Sequence, residues 1–479
     1  MSDFKKLDLV GVADGIRDGR FSSHDVTLWS LGRLETLGRQ YNAVFRVDRD
    51  PALARARELD EQQARGEPRG PLHGVPLAHK DMFDVAGREC HAGSLILKGR
   101  IPERNAFVID RLDEAGQVNL GSLHMAEFAL SPTGFNGHYG SARNPWNPAH
   151  ISGGSSSGSG IAVAARMVFG SLGGDTAGSI RLPAAMCGVT GLKTTFRRIS
   201  TQGAVPLSFS LDCLGPIAQS ARDCARLLVC ISHPNPNDSL STSLPAEDYE
   251  AQLDGKLRGL RIGVLETYYR EDLDSEIASC LDASLDMLKK CGASIVTARI
   301  PDIMASVNAL GQLVMSVEAA TLHRKWIQSR PNDYSEQVRN RIEQGFAYSA
   351  VRYAEALAVR SKILAEYMDA AFANCDVLHA PVLPISTPTI TETTEGPPAE
   401  VQRMIGRVNH ATRGINYLGL PAISVPAGLS KSGLPMAYQL IGRPFSEAIL
   451  LKVADAFQRQ TDWHRVAPAD ENLAPSRVH

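Results

Sequence analysis

Three short segments hold side chains able to attack a carbonyl and to move its protons. The first is GVPLAHKDMFD, where Lys80 closes an apolar, strand-like run. A lysine set near a core pays heavily for its charge, so it tends to give up its proton and act as a base. Taken alone, the segment reads more plainly as an ion pair of Lys80 with Asp81 or Asp84. The second is the run Ser155, Ser156, Ser157 behind Gly153 and Gly154, which suits a hydroxyl relay or a helix N-terminus. The third is Ser179 in GGDTAGSIR, preceded by Ala177 and Gly178. Small residues there leave backbone N–H groups open to a developing oxyanion. In isolation this motif fits a glycine-rich turn equally well.

The density of Gly and Ser across 153–193 also raises a phosphate cradle. No lysine follows Gly160, as the G-x-x-x-x-G-K-[ST] loop needs, and GGSSSGSG does not match G-x-G-x-x-G. The 13 histidines show no H-x-x-x-H spacing and the eight cysteines no C-x-x-C pair. Neither a metal nor an organic cofactor is therefore expected, and the cysteines read as reduced thiols of a cytoplasmic protein.

The elements that must position these residues read as an α/β fold. Ser23–Leu37 and Pro51–Arg65 have helical apolar spacing, which makes 1–65 an N-terminal helical segment. Strands are expected at Gly74–Ala78 and Gln117–Leu120, and helices at Arg104–Ala115 and Gly158–Phe169. Arg261–Leu265, Asp274–Cys291 and Ser294–Arg299 read strand, helix, strand. That rhythm implies a central mixed, twisted β-sheet with helices on both faces. Val314–Asn374 is strongly helical, with Tyr353, Leu357, Leu364, Met368 and Phe372 on one core-facing stripe. The Pro- and Thr-rich stretch 381–398 reads as loop. Strands at Ala422–Pro426 and Ala437–Ile441 and a helix at Ser446–Gln460 close the chain.

Together the segments resemble the amidase signature family. The matching stretches are GVPLAHKDMFDVAG, ARNPWNPAHISGGSSSGS, GGDTAGSIRLPAAMCGVTGLK, LDCLGPIAQSARD and NYLGLPAISVPAG, in that order over roughly 65–460. The resemblance implies a single domain over 1–479, with a catalytic core at 65–230 and a helical substrate-pocket region at 300–380. It implies that Ser179 is the nucleophile, that Ser155 bridges after a cis peptide bond from Gly154, and that Lys80 is the base. It assigns the oxyanion hole to the N–H groups of Thr176, Ala177 and Gly178, and the acyl pocket to Ala129–Ser131. Asp175 and Arg181 would fix the loop from behind, and His79 would serve packing or a local hydrogen bond. Phe128, Phe135, Tyr139, Met315, Trp326 and Tyr417 are candidates for an apolar acyl site.

The activity so implied is hydrolysis of a carboxylic C–N bond in a small amide or hydrazide, other than a peptide bond, through an acyl-enzyme. A related alternative is the A subunit of a tRNA-dependent amidotransferase, acting as a glutaminase within a complex. Against it stand LSPTGFNGHYG, where such proteins carry an MGSSTENSA-like stretch, and Leu182, where they carry Gln.

Bulk composition agrees with an ordinary soluble enzyme: 479 residues, 43% hydrophobic, 21% charged, formal net charge -2. Such a balance gives no reason to expect nucleic acid as a partner. No run approaches the roughly 18 apolar residues of a membrane span, and the N-terminus lacks a secretory pattern. A homodimer is compatible with all of this.

Overall fold

The computed structural model describes residues 4–265 and 267–470; the outermost parts of the expected 1–479 domain, 1–3 and 471–479, lie outside them. Its strands are β1 (Val44–Val47), β2 (Pro76–Lys80), β3 (Val118–Leu123), β4 (Gly170–Asp175), β5 (Thr190–Lys193), β6 (Cys213–Ala218), β7 (Arg261–Leu265), β8 (Ser294–Ala298), β9 (Val377–Pro381), β10 (Ala422–Leu429) and β11 (Pro435–Ile441). Eight of them form one mixed sheet in the order β4-β6-β5-β10-β11-β9-β7-β8. β7 runs parallel to β8 and β9, while the remaining pairs are antiparallel. Every residue of β4, β5, β6 and β9 is buried, as expected for strands covered on both faces. The helices Ala221–Ile231, Ser275–Lys290 and Glu447–Gln458, with Ser157–Ala164 and Arg181–Cys187, supply much of that cover.

A second, small sheet was not foreseen. It has the order β1-β3-β2, and β2 packs against β4 of the large sheet. Lys80 is the last residue of β2, so the candidate base and the candidate nucleophile ride on different sheets.

Some elements differ from expectation for clear reasons. The helix expected over Gly158–Phe169 ends at Ala164, because Arg166 takes φ 54° and the chain turns into β4. β4 itself, GSLGGD, has no apolar periodicity to announce it. The 300–380 region begins its helix at Met304 and breaks after Ser329. Pro331 follows, and a proline disfavours helical geometry in the residue before it; Arg330 sits at φ -141°. The stretch 381–398 is not all loop. It holds a helix, Ile390–Thr394, with a capping box between Thr389 and Glu392, a T-x-x-E signal legible in the sequence. The Tyr353–Phe372 stripe packs into the core, as its spacing implies.

Candidate active site

β2 delivers the Lys80 side chain into the space between the two sheets, 1% exposed. Its Nζ donates to Ser155 Oγ at 2.7 Å and to the Gly174 carbonyl at 3.4 Å. Neither Asp81 nor Asp84 pairs with it: Asp81 lies against His91, and Asp84 holds Arg100. The ion pair that the segment alone suggests is thus not formed. Burial lowers the Lys80 amine to about 7, against the opposing pull of Asp212 and Asp175. His79, next along β2, points away into a pairing of its own. Its Nδ1 accepts from Leu172 N and its Nε2 donates to Gln117 Oε1, and burial lowers it to about 4. It is a neutral, structural imidazole.

Ser155 enters through a cis Gly154–Ser155 peptide bond, in keeping with the resemblance. A side chain cannot replace Gly154: an added Cβ would lie 2.7 Å from both Gly134 N and Ser131 O. Ser155 is fully buried, and its carbonyl accepts from Ala126 N. The neighbouring Ser156 turns away to the Gly174 carbonyl, and Ser157 lies against His124. Of the three serines, Ser155 alone meets the lysine.

Ser179 follows β4 in a tight turn, 7% exposed, and its carbonyl accepts from Ser156 N at 3.3 Å. It opens on a cavity of about 330 Å³ that Thr176, Ala177, Ala129 and Ser131 also line. Gly178 departs from expectation. Its N–H donates to Asp175 Oδ1 at 2.7 Å, and it does not line the cavity. The carboxylate captures this N–H because the turn folds back over it, with Gly178 at φ 126°. Thr176 and Ala177 remain as the residues of the expected oxyanion set that line the cavity. Ala177 is not among the residues of positive φ, so its methyl group is tolerated.

Asp175 and Arg181 form the buried clamp behind this turn. Arg181 Nε and Nη2 meet Asp175 Oδ2 and Oδ1 at 3.1 and 3.2 Å. Asp175 also accepts from Ile180 N and Asn416 Nδ2. Burial would raise its carboxyl, but Arg181 holds it well below the usual range. Arg181 reaches onward to the Thr412 carbonyl, Asn416 Oδ1 and Gln439 Oε1, and Thr412 Oγ1 donates to the Ala177 carbonyl. Thr176 Oγ1 donates to Asp212, which burial raises to about 6.

Of the proposed apolar pocket residues only Met315 lines the cavity. Phe128 is buried and stacks with Trp326. Tyr139 packs on Phe45 and His91. Tyr417 donates to the Ala356 carbonyl, and Phe135 is not at the wall. The cavity is mixed: beside Leu130, Leu207 and Ile405 its walls carry the polar Gln312, Arg341, Gln344, Gln402, Asn409 and Arg413. Gln312, Arg341 and Gln344 lie within the 300–380 stretch expected at the pocket, but no sequence signal singled them out, nor Gln402, Asn409, Arg413, Asn416 or Gln439. Asn416 lay inside a quoted motif, NYLGLPAISVPAG, but nothing in it marks a partner for Asp175. Among the described residues no group of three or more His, Cys, Asp or Glu is placed to hold a metal ion, and no helix is long and apolar enough to cross a membrane.

Residues 25–451 match the Amidase family. The chain is 37% identical over 486 residues to the A subunit of the glutamyl-tRNA(Gln) amidotransferase of Pseudomonas syringae pv. syringae (strain B728a), covering 97% of this chain and 99% of that one. Among solved structures, the native peptide amidase from Stenotrophomonas maltophilia superposes with a TM-score of 0.85 at 29% identity, covering 96% and 98% of the two chains. A protein described as part of a vestigial complex that reveals the origins of an s-triazine catabolic enzyme superposes with a TM-score of 0.88 at 33% identity, covering 95% and 98%.

Proposed function

The chain belongs to the amidase family, and from that premise we propose that it hydrolyses a small carboxylic amide through a Ser179 acyl-enzyme. The 2.7 Å contact between Lys80 Nζ and Ser155 Oγ, beside a cavity onto which Ser179 opens, carries the reading. Neutral Lys80 takes the Ser155 proton as Ser155 takes that of Ser179. The freed Ser179 Oγ attacks the amide carbonyl carbon. The N–H groups of Thr176 and Ala177 receive the oxyanion, each such donor being worth about 3 to 4 kcal/mol. The proton on Lys80 then returns through Ser155 to the leaving nitrogen, the C–N bond breaks, and water repeats the sequence on the ester. Gly178 gives up a direct part in the hole and, with Asp175, holds its shape. The whole chain would serve this reaction as one domain.

Ser179→Ala tests it. Turnover should fall at least about a thousandfold, with unchanged circular dichroism, and acyl adduct at Ser179 should vanish from the mass spectrum of quenched reactions. Wild-type rates in this variant would end the assignment.

The names of the curated relatives favour a second reading, the A subunit of a tRNA-dependent amidotransferase. Leu182 is buried beside Gly178 and is not among the residues of the cavity wall, so its difference from Gln weighs less against this reading. Affinity purification from the native cell separates the two readings. Partner proteins and tRNA should accompany a component of an amidotransferase, whereas the proposed hydrolase turns over amides as an isolated chain.

A further inference from the structure

The cavity beside Ser179 contains two guanidinium groups and, among the described residues, no carboxylate. Arg341 comes from the helix Glu336–Gln344, and its Nη1 donates to the Leu130 carbonyl. Arg413 opens the helix Arg413–Leu418. Its Nε is buried with no hydrogen-bond partner, and Asn409 Oδ1, on the same wall, is buried and unpartnered too. Neither arginine takes part in an ion pair among the described residues, although the surface is rich in Arg–carboxylate pairs. Burial lowers the Arg341 guanidinium to about 10, and Arg413 adds to the effect.

Both arginines are only partly exposed; a partly desolvated cation with no counter-ion is costly, and a second one beside it costs more. A site that keeps both is complementary to an anion. A guanidinium binds carboxylate through a planar fork of parallel N–H donors, which fixes its orientation as well as its charge. The same field opposes a cation. The neutral amide of Asn409 offers an acceptor but no negative charge.

We infer that the substrate is a small amide that carries a carboxylate and no ammonium group, its carboxylate held by Arg341 and Arg413 while its amide carbonyl lies at Ser179. This rests on the acyl-enzyme reading above and narrows it. The cavity, about 330 Å³, lies at the small end of ligand pockets, which suits a short acyl chain. A reaction that yields a half-amidated dicarboxylic acid, or an acylated amino acid, would supply such a compound.

The test compares kcat/KM for five amides of similar length. Succinamate and glutaramate bear the carboxylate on the acyl side, and N-butyrylglycine bears it on the leaving side. Butyramide is neutral, and glutamine adds an ammonium. A carboxylate-bearing amide without ammonium should exceed butyramide and glutamine by about a hundredfold or more; which of the three wins locates the carboxylate. In Arg413→Gln and in Arg341→Gln that ratio should shrink to within about tenfold, mainly through KM, and Arg413→Lys should restore part of it. Butyramide or glutamine performing as well as the best carboxylate amide would overturn the inference, as would a ratio unmoved in both arginine variants. Binding to Ser179→Ala by calorimetry separates this outcome from failure of the acyl-enzyme. Succinate should bind at least tenfold tighter than butyramide, and equal binding would overturn the carboxylate site. Failure of a fluorophosphonate to label wild-type Ser179 would instead remove the nucleophile and leave the binding result standing.

Discussion

Lys80 would carry three N–H donors in its charged form, and it finds two acceptors, Ser155 Oγ and the more distant Gly174 carbonyl. A neutral amine can instead accept the Ser155 hydroxyl proton on its lone pair across the same contact while one N–H keeps the Gly174 carbonyl, and burial favours that state. The proposed proton relay needs that neutral form. With the amine lowered to about 7, kcat/KM should fall as pH drops below 7 and level off above it. A pH–rate profile checks this, and a limb centred above pH 9 would contradict it. The same shift acts on stability. The folded lysine titrates near 7 and the unfolded one near 10.4, so between these values the unfolded chain binds more protons and stability rises with pH. Lys80→Met should abolish turnover without lowering the melting temperature at pH 7. Part of the pH dependence of melting between 7 and 10 should also disappear. A clear loss of stability would mean that the amine is charged in the fold and bound as such.

The turn between β4 and the helix Arg181–Cys187 is where backbone shape and chemistry meet. Gly178 sits at φ 126°, and an added Cβ would lie 2.4 Å from Thr412 Oγ1. Gly178→Ala should cost about 1 to 3 kcal/mol and lower kcat by moving the neighbouring N–H groups; urea unfolding and steady-state rates measure the two effects. Asp175→Asn breaks a fully buried ion pair and should cost about 3 to 5 kcal/mol, seen as a lower urea midpoint. This is also where the sequence was only partly legible. Arg261–Leu265 could be read to the residue, because three apolar residues, Ile262, Val264 and Leu265, stand together just after the turn at Gly259. β4 was hidden, since its glycines serve close packing and its burial on both faces erases alternation. The expected trio of donors at 176–178 assumed an idle Gly178, and only the folded turn shows the carboxylate that captures it. The cationic wall of the cavity was not marked because Arg341 comes from the helix Glu336–Gln344, whereas Asn409 and Arg413, four residues apart, come from the turn after the helix Pro398–Val408 and the start of the next helix.

Across the whole molecule the thiols give a test of the packing. Seven of the eight cysteines are buried, and Cys291 is the one partly exposed. Burial raises Cys187, Cys224 and their buried neighbours, so they are poor thiolates. Ellman's reagent should titrate about one thiol in the native protein and eight after denaturation. Cys291→Ser should remove the native signal. Rapid reaction of three or more native thiols would show that the layers around the large sheet open readily.

The clamp behind Ser179 also orders events in time. Arg181 meets Thr412, Asn416 and Gln439 across separations of 231, 235 and 258 residues. At ordinary rates of synthesis, about 5 to 20 residues per second, those partners leave the ribosome on the order of tens of seconds after the loop they brace. A nascent chain thus spends much of its elongation with Ser179 made but the turn around it unbraced, and the cavity takes its final form only when translation is nearly over.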